Sequence, residues 1–124
     1  MTDKQLEKKN RELRDEMNAQ GFGWIDGNYI KPPVEYQMAQ KKLNCINMIN
    51  SILAYDWYEE SAEDIMVHEE KSYHNYLAEY VELFGRENVV ALIQGQMDDI
   101  KTIKRNIYTD NEGVSYNSIV WADE

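Results

Sequence analysis

Residues 56–70, "DWYEESAEDIMVHEE", hold seven carboxylates (Asp56, Glu59, Glu60, Glu63, Asp64, Glu69 and Glu70) and no lysine or arginine. If the stretch were helical throughout, this is about one negative charge per 3 Å, close to the ~3.4 Å charge spacing along one DNA strand. Glu59/Glu63, Glu60/Glu63 and Glu60/Asp64 fall at the i,i+3 and i,i+4 offsets of one helix face, where like charges cost a few tenths of a kcal/mol each, roughly 0.2–0.5. The helix dipole favours acids in a first turn, which accounts for Glu63 and Asp64 but not for the deeper Glu69 and Glu70. Tyr55, Trp57 and Tyr58 stand beside the acids, and large rings next to charge make an anchor with a charged rim. Two readings follow. The stretch is either a solvated helix start, with Trp57 sealing a helix–helix corner, or a surface shaped for a basic partner comprising Asp56, Trp57, Tyr58, Glu59, Glu60, Glu63, Asp64, Glu69 and Glu70.

Other chemistries find less support. Asp64/His68 and Glu70/His74 are i,i+4 pairs, but His68 and His74 are six apart and lie on different helix faces. Neither Glu-x-x-His nor His-Glu-x-x-His spacing occurs, so no metal site and no cofactor is expected. Cys45 sits beside Ile46 on an apolar stripe, the setting of a structural thiol. There is no Gly-x-Ser-x-Gly elbow, and "GFGWIDG" lacks the lysine and strand-to-helix context of a phosphate loop. Paired acids among 23 of them specify no hydrolytic site without geometry. The chain reads as a non-enzyme.

The elements that must position these residues are short. The 124 residues are expected to form one domain, 1–124, with enough length to bury a core. Residues 1–42 carry eight basic and seven acidic side chains, a net of +1; residues 43–124 carry five and sixteen, a net of −11. A field of that sign repels nucleic acid and membrane surfaces and attracts basic proteins in a salt-dependent way. The longest aliphatic run is "VVALI", and the amino-terminal stretch is charged throughout, with no apolar leader. One cysteine excludes an intramolecular disulfide and points to a reducing cytoplasm.

Thr2 with Gln5 predicts a capping box at the start of a helix over 2–19, with Gly21 past its end. Asp26-Gly27 predicts a two-residue β-hairpin turn within 21–31. Pro32-Pro33 opens a helix over 34–54, with Ala39, Leu43, Ile46, Ile49 and Leu53 as its stripe. Ser61 caps a third helix that runs to Gly85 and turns Met66, Tyr73, Leu77, Tyr80 and Phe84 inward. A fourth helix, about 87–107, carries Val89, Ile93, Met97, Ile100, Ile103 and Ile107. "TDNEG" (109–113) is a turn, and 114–121 a final strand rich in β-branched and aromatic residues, expected to lie against the hairpin with Trp121 exposed. The fold class is α+β, helix-dominated: about four helices, a short β-hairpin and a C-terminal strand.

A short, acidic, cysteine-poor chain of this kind, ending in "YTDNEGVSYNSIVW", resembles small proteins of bacterial phages and other mobile elements. Among these it is similar in character to the anti-CRISPR proteins, several of which are acidic DNA mimics that occupy the basic groove of an RNA-guided nuclease. That group shares no signature, so no residue roles transfer. The resemblance implies an inhibitor acting in the cytoplasm of a bacterial host. Its partner would be a basic nucleic-acid-binding protein such as a Cas nuclease, reached by protein–protein interaction with no direct nucleic acid and no membrane. The alternative is a helical interaction or assembly module, a homo-oligomer, without nuclease inhibition.

Overall fold

The structure, a computed structural model, describes residues 1–54, 60–109 and 115–122; for 104–109 and 115–118 the description is of backbone alone. In order these form α1 (Asp3–Ala19), β1 (Gly23–Ile25), β2 (Asn28–Ile30), α2 (Val34–Leu53), α3 (Ala62–Lys71), α4 (Ala78–Phe84), α5 (Arg86–Asp99), β3 (Ile100–Thr109) and β4 (Ser115–Trp121). This is a helix-dominated α+β fold with two antiparallel strand pairs. The chain divides into two compact units, Thr2–Asn44 and Cys45–Glu124 with Met1, and α2 runs from one into the other.

In the first unit local chemistry decides the geometry. The Thr2 hydroxyl accepts from the Gln5 N–H at 3.2 Å while the Gln5 side chain accepts from the Thr2 N–H at 3.0 Å, the reciprocal box the sequence predicts. Past the helix end Gly21 takes φ +91°, where a side chain would be strained. Asp26 (φ 51°) and Gly27 (φ 80°) are both left-handed, as a type I′ hairpin turn requires, and they set Trp24 opposite Tyr29. The start of α2 lies beside α1: Gln40 donates to Asn10 at 3.1 Å, and the Tyr36 hydroxyl to Glu16 at 3.2 Å.

The core of the second unit gathers Cys45, Ile49, Ile52 and Leu53 of α2, Ala62, Ile65 and Met66 of α3, then Leu77, and Val89 and Ile93 of α5. Each large aliphatic side chain so buried contributes about 1.5–3 kcal/mol. Gln96 and Asn50 are buried within this unit and share a hydrogen bond of 2.9 Å.

Three expectations are corrected here. The helix expected over 61–84 is two helices, broken at residues 72–77. Ser72 is extended, the Asn75 side-chain oxygen accepts from the Leu77 N–H at 3.1 Å, and Tyr73 is 95% exposed instead of inward-facing. Asparagine competes with helical backbone in this way because its short side chain mimics a turn.

The helix expected to about 107 stops at Asp99. Asp98 and Asp99 put negative charge at the helix end that disfavours it, and no basic residue sits in the last turn. The β-branched residues that follow pair instead as β3 with β4, Ile100 opposite Trp121 and Ile103 opposite Ile119. A register shift between Ile100 and Thr102 inserts one residue, so that Ile100 and Ile103 line the same cavity of about 310 Å³ with Leu53 and Met97. A bulged strand thus imitates helical spacing.

The last strand accordingly pairs with β3 and not with the hairpin, and Trp121 is buried at 2% exposure. Trp121→Ala is expected to cost about 3–5 kcal/mol, measured by urea unfolding; a change near zero would return this tryptophan to the surface.

Candidate functional site

The site is built on α3. Ser61 adopts extended backbone and its hydroxyl accepts from the Asp64 N–H at 3.1 Å, which starts the helix where the sequence predicts. Ala62, Ile65, Met66 and Glu69 make its buried face, at helical spacing. Helix periodicity then leaves Glu63, Asp64 and Glu70 exposed.

Glu63 and Glu70 lie two turns apart and meet one cation, Arg86, the first residue of α5. Its Nη1 donates to Glu63 Oε2 at 3.0 Å, its Nη2 to Glu63 Oε1 and, at 2.9 Å, to Glu70 Oε1, and its Nε to Glu70 Oε1 at 3.2 Å. The planar guanidinium suits two carboxylates at once, which a lysine would not. Hydrogen bonding from Arg86 holds the Glu63 carboxyl below the usual carboxylate range, against a smaller opposing effect of desolvation. The same bonds, from Glu63 and then Glu70, raise Arg86 further above its ordinary value. Two negative charges and one positive leave this cluster with a net of −1.

The remaining candidates fall in different places. Asp64 is exposed, and Glu60 is half-buried, with an Oε2 that has no hydrogen-bond partner among the described residues. Glu69 leaves the surface: it is 6% exposed, and its Oε1 accepts from the Tyr76 N–H at 3.1 Å. Asp56, Trp57, Tyr58 and Glu59 lie outside the described residues.

Two features escaped sequence reasoning. One is the aromatic group between α3 and α4: Tyr73 (95% exposed), His74 and Tyr76 (57% exposed). The His74 ring is edge-on to Tyr73 at 4.8 Å and roughly parallel to Tyr76 at 6.1 Å between centroids. Its signal was the turn-forming Ser72 and Asn75 inside an otherwise helical pattern. The other is Arg86, the only basic residue between Lys71 and Lys101, whose isolation in an acidic stretch marks it as a counter-ion.

Among the described residues no group of three His, Cys, Asp or Glu is placed to hold a metal ion, and no helix is long and apolar enough to cross a membrane. Comparison with protein-family models, curated proteins and solved structures finds no match to this chain.

The Arg86 cluster has a pH signature. Because the folded-state pKa of Glu63 lies below its unfolded value, the pair's contribution is complete above the unfolded carboxylate range, about 4.3. It is lost as pH falls through the depressed value. In a carboxyl NMR titration Glu63 is expected to protonate at lower pH than a solvated glutamate, and Arg86→Met to bring it back up. The unfolding midpoints of wild type and Arg86→Met, distinct at neutral pH, should converge in acid; parallel curves throughout would mean the fork does not form in solution.

Proposed function

We propose that this chain is a small acidic inhibitor of the anti-CRISPR type, which binds a basic nucleic-acid-binding surface of an RNA-guided nuclease by charge mimicry and performs no catalysis. The observation that supports it is one continuous stretch of chain on which exposed carboxylates at Glu63, Asp64 and Glu70 are followed directly by the exposed rings of Tyr73 and Tyr76. Charge at the rim brings a basic partner in quickly, and the rings supply apolar area that a solvated acidic face would not need.

In this reading the carboxylates take the place of phosphates before arginines and lysines that otherwise grip duplex backbone or read the PAM. Arg86 tempers the field without consuming it. The Glu63 and Glu70 side chains remain 54% and 42% exposed, so a partner's arginine has oxygen to meet.

The test is target-DNA binding by purified guide-loaded Cas nucleases, with and without the protein. Wild type should displace DNA from a susceptible nuclease, and its potency should fall as salt rises through the range where the Debye length drops below about 10 Å. Reversal of Glu60, Glu63, Asp64 and Glu70 to lysine, in a variant that circular dichroism shows to be folded, should weaken it by about tenfold or more. Inhibition indifferent to salt and to the reversals would remove charge mimicry; no effect on any nuclease would remove the reading.

A further inference from the structure

The first unit holds a groove of about 290 Å³ whose chemistry is the opposite of the α3 surface. Met17 of α1, Tyr29 of β2 and Tyr36 of α2 line it, with Pro32 from the connection between strand and helix. Lys31 and Lys41 line it too and no acid does, so the lining carries two positive charges in a chain whose net charge is −10. Glu16 accepts from the Tyr36 hydroxyl at 3.2 Å but is not part of the lining.

The walls of the groove are braced by neighbouring side chains. The Tyr29 ring packs on Trp24 with centroids 5.4 Å apart, and the Tyr36 ring on Phe22 at 6.2 Å. Gln37 Nε2 donates to the Pro32 carbonyl at 2.7 Å, which fastens the connection to α2. Gln40 Nε2 donates to Asn10 and to Asn44, each at 3.1 Å, so both amide hydrogens are committed and its oxygen is what it has left to offer. Both glutamines line the groove. Braced rings with a few polar groups are the usual form of a small-molecule site, whose volumes begin at about 300 Å³.

We propose that this groove binds a small aromatic carboxylate bearing a ring N–H or hydroxyl group. Each part of that description answers a feature of the lining. The flat ring matches Tyr29, Tyr36 and Pro32, since aromatic rings pack well edge-on or offset. The carboxylate answers the two ammonium groups of Lys31 and Lys41. The ring N–H or hydroxyl answers the Gln40 oxygen, whose amide has no hydrogen to spare. Size excludes larger anions: a water takes ~30 Å³ of liquid, so the groove has room for on the order of ten to fifteen non-hydrogen atoms. A nucleotide is larger than that, and a bare inorganic anion leaves the rings uncovered. The site is independent of the charge-mimicry reading, because none of its residues belongs to α3.

Indole-3-carboxylate is the probe, titrated into the full chain and followed by proton–nitrogen correlation NMR, which also reports whether each variant is folded. Saturable shifts are expected at Tyr29, Lys31, Tyr36 and Lys41, with a Kd on the order of 1 mM or tighter. Indole, which lacks the charge, and tryptamine, which reverses it, should each bind about tenfold more weakly, and acetate, which lacks the ring, should give no saturable shift. Lys31→Gln with Lys41→Gln should weaken the probe by about tenfold. Lys42→Gln, the same change of charge beside the groove but outside its lining, should stay within about twofold of wild type at physiological salt. No saturable shift at millimolar probe, equal binding of indole, tryptamine or acetate, or an affinity that survives the double lysine substitution overturns the proposal.

Discussion

One buried carboxyl group directs the path of the chain through the second compact unit. Glu69 lies on the face of α3 that carries Ala62, Ile65 and Met66, and burial without a partner would make it costly. Its Oε1 accepts from the backbone N–H of Tyr76 instead, seven residues on. A continuous helix could not offer that bond, since the Tyr76 N–H would be committed to the carbonyl four residues before it. So the helix ends, residues 72–77 fold back, Leu77 enters the core and Tyr73 is left in solvent. A single acid turned inward thereby produces the aromatic group that follows the acidic face.

The acids that stay outside are governed by a second economy. Like charges along α3 repel, and the fold answers with one arginine at the start of α5 in place of lysines interleaved along α3. The fork links α3 to α5 at the surface, where the core links them inside through Ile65, Met66, Val89 and Ile93. It lowers the local charge without abolishing it, so the face is both stable and still negative. Glu63 and Glu70 brace the fold through Arg86 while their side chains stay 54% and 42% exposed.

Much of this was legible from sequence where the signal is local. The Thr2–Gln5 box, the Ser61 cap and the Asp26–Gly27 turn each depend on residues within a turn or two, and each is found where expected; of the α2 stripe, Ile46, Ile49 and Leu53 are buried and Ala39 and Leu43 half-buried. Misreadings came where two local signals compete. Apolar spacing of three and four from Val89 to Ile107 suits a helix, yet the same Ile100 and Ile103 face one cavity from a bulged strand. Trp121, next to an acidic tail, carries no local sign of its burial, because the strand it pairs with has the apolar spacing of a helix. For the candidate site the sequence located the acids but not their allegiances.

By itself, then, the amino-acid sequence determined the charge of residues 1–42 and of 43–124, the caps and turn that punctuate the elements, and the helix-dominated α+β class, because these follow from residue type and near neighbours. Only the tertiary structure decided that Glu69 is interior, that Glu63 and Glu70 share Arg86, and that Tyr73 and Tyr76 stand in solvent. Those outcomes rest on partners 7, 16 and 23 residues away along the chain, and nothing in a local pattern says which distant group a carboxylate will meet.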